Sequence, residues 1–211
     1  EIKTGTEVKS VQELKAQGYD AVIVATGANK PGTLKLEKGE TINALKFLRD
    51  FKATGGKVAL GKNVVVIGGG NTAMDTARAA KRTEGVEHVY FVYRRTKRYM
   101  PAAEDELLEV LEEGVEFKEL LSPVSLENGK LLCKKMELGS MDASGRAGVT
   151  ETGETEEVLA DTVIVAVGEK VPTEFYEANG IAVNERGKAR INDKTMETSA
   201  EGVYVVGDGA R

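Results

Sequence analysis

Residues 64–75 read Val64-Val65-Val66-Ile67-Gly68-Gly69-Gly70-Asn71-Thr72-Ala73-Met74-Asp75, and the reading of this stretch decides the fold. Four β-branched residues in succession mark a strand covered on both faces. The run ends in G-x-G-x-x-A. Beyond it, Asn71 to Thr83 places Ala73, Ala77 and Ala80 on one face of a helix. In a strand–turn–helix of this kind, Gly68 permits the tight turn and Gly70 lets the backbone approach a pyrophosphate. Ala73 is small enough for the helix to pack close to the strand. The amides of Gly69, Gly70, Asn71 and Thr72 open the helix, with its dipole behind them, and attract phosphate. The spacing alone is weak evidence; with a strand before it and a helix after it, it predicts a dinucleotide-binding turn.

Working outward, the second strand of such a unit is His88 to Tyr93 (HVYFVY). A site for the unphosphorylated dinucleotide carries Asp or Glu near its end, about 20 residues beyond the fingerprint, for the ribose hydroxyls. Here the strand is followed by Arg94-Arg95-Thr96-Lys97-Arg98, with no acid. Four cations stand where a 2′-phosphate would lie, and the arginine fork suits a phosphate. The expected cofactor is therefore NADPH rather than NADH. The competing reading is a solvated basic loop paired with an acidic helix at Glu104 to Glu113.

Three further apolar runs, Ala21–Ala25, Val163–Val167 and Val203–Val206, are short, β-branched and closed by glycine or Thr-Gly. Helical spacing marks Asn43–Thr54 and Ala102–Glu113, the latter with Gly114 in the terminating position. From Val115 to Asp161 shorter strands alternate with polar turns, such as Glu127–Gly129 and Asp142–Gly148, which predicts an antiparallel meander. The class is α/β: a Rossmann-like domain of parallel strands with an antiparallel β-meander. Its core runs from about Gly61 to Gly168, and parts of a second domain flank it. The turns Thr26-Gly27, Val167-Gly168 and Gly207-Asp208 each follow a buried strand. Each could be a plain strand-ending turn, although an aspartate such as Asp208 in this place can bond a ribityl or pyrophosphate group.

Composition narrows the classes. A net charge of -5 argues against nucleic acid or an anionic membrane as partner. No apolar run approaches the roughly 20 residues that span a bilayer. The single cysteine, Cys133, excludes an internal disulfide or a CxxC redox pair, reads as a buried structural thiol, and fits a reducing cytoplasm. The single histidine, His88, has no histidine or cysteine near it, so no metal site is expected. The chain starts at Glu1 and stops directly after a strand, so it reads as a piece of a longer protein.

The segments YDAVIVATGA (19–28), ALKFLRDF (44–51), VVVIGGGNTAMDTAR (64–78), VYRRTKRYMPA (92–102), ADTVIVAVGEKVP (160–172) and GVYVVGDGAR (202–211), in this order, resemble the glutamate synthase small-subunit group of flavoproteins with two dinucleotide-binding domains. That group also takes in the bacterial selenate reductase subunit and the flavin/NADPH part of dihydropyrimidine dehydrogenase. The resemblance implies an oxidoreductase in which NADPH gives a hydride to FAD, and electrons pass to iron-sulfur clusters or a partner subunit. It implies that Gly68–Ala73 hold the NADPH pyrophosphate and that Arg94, Arg95 and Arg98 hold the 2′-phosphate. Val167-Gly168-Glu169 would lie on the nicotinamide side, with Thr26-Gly27 and Gly207-Asp208 facing FAD. It divides the chain into 1–28 (part of an FAD-binding domain), 29–60 (a connecting segment with a helix), 61–171 (the NADPH-binding domain) and 172–211 (a return to the FAD-binding domain). The family's first glycine fingerprint, which binds the ADP half of FAD, has no counterpart here, and its amino-terminal cysteine clusters are missing. The expectation is a piece that binds NADPH, has an incomplete flavin site, and is inactive without the rest of its parent. The reading from another class is a non-catalytic regulatory nucleotide-binding module. It would leave the Thr26-Gly27 and Gly207-Asp208 segments without a purpose.

Overall fold

The computed structural model of the chain describes residues 1–141, 145 and 147–210. Its elements run α1 (Val11–Ala16), β1 (Val22–Val24), β2 (Lys30–Pro31), β3 (Ile42–Asn43), α2 (Ala44–Thr54), β4 (Asn63–Gly68), α3 (Asn71–Lys81), β5 (His88–Tyr93), α4 (Glu104–Glu112) and β6 (Glu116–Glu119). Then come β7 (Leu121–Glu127), β8 (Lys130–Met141), β9 (Ala147–Leu159), β10 (Thr162–Ala166), β11 (Glu169–Lys170), α5 (Glu174–Ala178) and β12 (Val203–Val205). Two compact units divide the chain: Gly32–Gly168, and Glu1–Pro31 with Glu169–Arg211.

In the larger unit, the expected buried strand β4 is central. The sheet order is β3-β10-β4-β5-β6, and every neighbouring pair is parallel. Successive side chains of a strand point to opposite faces, which explains the unbroken apolar run. Val64 and Val66 face a helical layer and pack with Phe47 of α2, Met74 and Ala77 of α3, and Val110 of α4. Val65 and Ile67 face the other way and pack with Leu121, Leu131, Cys133 and Val158. Those residues belong to the antiparallel meander β7-β8-β9. Asn43 caps α2 by accepting from the Lys46 amide at 3.1 Å, and Gly55 ends the helix in the left-handed region.

Three expectations need correction. The stretch after Val115 is not antiparallel throughout: β6 joins the parallel sheet beside β5, with Phe117 stacked on Phe91 at 5.2 Å. Its sequence, Glu-Phe-Lys-Glu, is polar because it is an edge strand and lacks the β-branched run of the others. Residues 32–60 are more than a connector, since β3 pairs with β10 and Phe47 of α2 is buried in the helical core. Within the turn expected at Asp142–Gly148, residues 142–144 and 146 lie outside the described residues, while Ala147 and Gly148 already belong to β9. Arg211, the end of the last resembling segment, also lies outside them.

In the smaller unit β1 pairs with β12 in parallel, and β2 with β11 antiparallel. Val11, Val22, Val24, Tyr176, Val203 and Val205 form its core. Asn179 ties the start of α1 to the end of α5, accepting from the Val11 amide at 2.7 Å and donating to the Phe175 carbonyl at 2.8 Å. α1 and α5 are too short to show a helical period in the sequence.

Candidate nucleotide-binding site

The carboxyl ends of three adjacent strands build the site in the larger unit. Pairing of Ala166 with Gly68 and of Ile67 with Val92 sets Val167-Gly168, Gly69-Gly70 and Arg94 side by side along one edge of the sheet. From β4 the chain winds outward to β5 and β6, then returns to β10 on the other side of β4. Strand order reverses there, which is where open α/β sheets bind ligands.

The three glycines of the turn have different reasons to be glycine. A Cβ on Gly68 would strike the Ala166 carbonyl oxygen and stand 3.0 Å from the Ala73 Cβ, so close strand–helix packing requires it. A Cβ on Gly69 would lie 2.5 Å from the ring of Tyr93. Gly70 has neither reason. Its φ is -100° and its ψ 176°, ordinary extended backbone, and a Cβ there would meet nothing within 4 Å. Gly70 caps α3 without a side-chain bond, and the first amide of that turn to reach a backbone acceptor is that of Ala73, 2.9 Å from the Gly70 carbonyl oxygen. The amides of Asn71 and Thr72 precede it. They open a helix of eleven residues.

The segment after β5 folds back onto this turn. The Ala102 amide donates to the Gly69 carbonyl oxygen at 3.0 Å, the Ala103 amide to Asn71 Oδ1 at 3.1 Å, and the Tyr93 hydroxyl to the Tyr99 carbonyl oxygen at 2.9 Å. Asn71 thus serves as an anchor for the basic loop, a role that the fingerprint does not announce. Within the loop, Arg94, Lys97 and Arg98 are exposed and Arg95 is half-buried. The acidic helix does not neutralise them. Its Glu109 and Glu113 pair with Arg78 and Arg82, at 2.6 Å and at 2.7 and 2.5 Å. That removes the main support for the bland reading of the loop. Gly168, two residues past β10, has φ +96°, and its carbonyl oxygen accepts from the Gly32 amide at 2.7 Å.

In the smaller unit the register of Val24 with Val205 brings Thr26-Gly27 beside Gly207-Asp208. Gly27 and Gly207 both have φ +67°, where a β-carbon is strained, and both face open space. Thr26, Gly207 and Asp208 are exposed; Glu169 is half-buried. Among the described residues, the buried Tyr176 hydroxyl, packed against Gly209, has no hydrogen-bond partner. Burial raises its pKa, and the nearby Thr26 side chain pulls weakly the other way.

Among the described residues, no group of three or more His, Cys, Asp or Glu is placed to hold a metal, and no helix is long and apolar enough to cross a membrane. Cys133 is buried, and burial, aided by Glu156, pushes its thiol up to about 12, which makes it unreactive near neutral pH.

YgfK of Escherichia coli strain K12, provisionally named an oxidoreductase, is 41% identical over 206 residues, covering 96% of this chain and 20% of that protein. The NADP(+)-dependent formate dehydrogenase subunit beta of Moorella thermoacetica is 35% identical over 224 residues, covering 100% of this chain and 31% of the relative. The glutamate synthase [NADPH] small chain of E. coli K12 is 32% identical over 237 residues, covering 100% and 50%. The chain thus spans between a fifth and a half of these relatives. Among solved structures, FprA of Mycobacterium tuberculosis in complex with NADPH superposes with a TM-score of 0.73 at 23% identity, over 95% of this chain and 60% of that one, a likeness of fold. The model of the pyridine nucleotide-disulphide oxidoreductase family matches residues 1–211, so the chain belongs to that family.

Proposed function

We propose that the unit Gly32–Gly168 binds NADPH, as part of an oxidoreductase that passes a hydride from NADPH to FAD and electrons onward to iron-sulfur clusters or a partner subunit. The observation that carries the reading is Gly70. Neither conformation nor packing requires a glycine there, so its missing side chain leaves room for a ligand at an uncapped helix start. The residues present fit the cofactor. Gly68 to Ala73 would receive the pyrophosphate, with the amides of Asn71 and Thr72 donating and Gly70 keeping the approach open. The cations of the Arg94–Arg98 loop would receive the 2′-phosphate. Val167-Gly168-Glu169, at and just beyond the end of β10, would border the nicotinamide. In the smaller unit, Thr26-Gly27 and Gly207-Asp208 would face FAD; two adjacent turns held open by glycines at positive φ, with an exposed carboxylate, suit its polar chain. NADPH supplies the hydride and FAD accepts it; the side chains bind and orient. The names of the relatives support a partner as well, since two of them are subunits of larger enzymes.

The test is Gly70→Val, examined by calorimetry with NADPH and by circular dichroism. The expected outcome is a folded protein that no longer binds NADPH. A folded variant with unchanged affinity contradicts the reading.

A further inference from the structure

Behind the two glycine turns of the smaller unit lies a buried oxygen that the fold does not satisfy. Tyr176, on α5, is 1% exposed and packs in the core with Val22, Val24 and Val205. Its ring has apolar neighbours, but its hydroxyl has no hydrogen-bond partner among the described residues. A buried hydroxyl without a partner costs stability, and a phenylalanine would bury the same ring without that cost. The turn is shaped around this oxygen. A Cβ on Gly209 would strike the Tyr176 hydroxyl first, with Val205 Cγ1 next at 3.2 Å. The backbone of Gly209 is not left-handed, so the hydroxyl, and not the conformation, asks for a glycine there. On either side of Gly209, Asp208 and Ala210 line a cleft of about 370 Å³ with Met196, Val206 and Gly207. Met196 holds φ +62°, rare for a bulky side chain, and such strain gathers at ligand sites. Burial raises the pKa of the Tyr176 hydroxyl, and Thr26 is the side chain that pulls it down. The two hydroxyls are therefore near each other without being bonded. Thr26 is exposed, in the turn that lies beside Gly207-Asp208.

We infer that Tyr176 is a positioning residue of the proposed flavin site: its O–H donates to Thr26 Oγ1 when the polar chain of FAD lies on the turns, and so aims the Thr26 O–H at an oxygen of that chain. The inference rests on the proposed function and adds to it a residue that stands behind the turns rather than in them. Tyr176 cannot serve the ligand directly, because its oxygen is sealed behind Gly209. Thr26 can serve both, since a hydroxyl donates one hydrogen bond and accepts others. The bond gained on binding offsets the cost of the orphaned oxygen.

The experiment follows FAD binding to the full chain by quenching of flavin fluorescence, for wild type, Y176F, T26S, T26V and Y176F/T26V, and reads the urea midpoint of each without ligand. Wild type should bind FAD weakly and reversibly through the two turns. Y176F should weaken that binding about threefold to tenfold, the worth of one neutral hydrogen bond. It should also raise the ligand-free midpoint, because it removes the orphaned oxygen. T26V should weaken binding at least as much, T26S should stay near wild type, and adding Y176F to T26V should cost nothing further. A tyrosine that only fills the core would leave FAD affinity unchanged in Y176F. One whose hydroxyl is already satisfied within the fold, as by a buried water, would lower the midpoint in Y176F or leave that variant unfolded. Either result, or full additivity of Y176F and T26V, overturns the inference and leaves the flavin reading intact. A wild type that binds no FAD overturns the flavin side of the proposed function and the inference with it.

Discussion

At the scale of single residues, the glycine turn shows why a motif is more than its letters. Gly68, Gly69 and Gly70 look alike in sequence, yet only the first two are needed by the packing. Gly68→Val should therefore disturb the fold itself, by about 1–3 kcal/mol for a side chain forced into a filled space, and lower the urea midpoint. Gly70→Val should leave that midpoint unchanged. A Gly70→Val protein as unstable as Gly68→Val would mean that the turn is tighter than described. Cys133 offers a second residue-scale check. Its thiol is buried and its pKa is raised to about 12 by burial. A thiol reagent near neutral pH should modify it only as fast as the protein opens, and rapid modification of the native chain would contradict its burial in the meander core.

At the scale of elements, the runs of β-branched residues made β4, β5 and β10 legible, and periodic alanine made α3 legible. Both patterns arise directly from burial. Less legible was whatever draws on the main chain or on a single face. β6 reads as a polar segment because only Phe117 turns into the core. The tether from Ala102 to Gly69 leaves no trace in residue type, since a backbone amide can belong to any residue but proline. The four cations after β5 were visible. The acids of α4 were legible as a face, but their partners proved to be Arg78 and Arg82 on α3. Replacing Glu113 with Gln should loosen α3 against α4 and leave the choice between NADPH and NADH unchanged; a changed preference would mean that the acids act on the loop after all. Asp161 pins the opposite end of the sheet. Its Oδ2 accepts from the amides of Lys62 at 2.9 Å and Asn63 at 2.8 Å, and from Asn63 Nδ2 at 3.2 Å. Those bonds, the Asn63 amide first, hold its pKa below the usual carboxylate value. A lowered folded-state pKa gives stability that is present above the unfolded value, about 3.9, and is lost as pH falls through the folded one. Because the group is mostly exposed, Asp161→Asn should cost only about 1 kcal/mol near pH 7. The gap between variant and wild type in urea unfolding should close in strong acid. A gap that persists there would show that the charge is not the cause.

At the scale of the whole molecule, the chain belongs to its family over residues 1–211, and the proposed function makes a single chemical commitment: an edge of the larger unit that would read phosphate. The formal charge of -5 makes that commitment local, because a chain with a net negative charge does not attract an anionic cofactor by its overall field. On the proposed function, attraction would come from the α3 start and the Arg94–Arg98 loop at short range. Exposed arginines are screened by salt, with a Debye length near 10 Å at 0.1 M. The most direct measurement is therefore calorimetric titration of the unmodified chain with NADPH and with NADH, at low and at high ionic strength. The account predicts that NADPH binds tighter by about a hundredfold at low salt, the worth of two charge-assisted bonds, and that the advantage shrinks as salt rises. Equal affinities, or tighter binding of NADH, would contradict it.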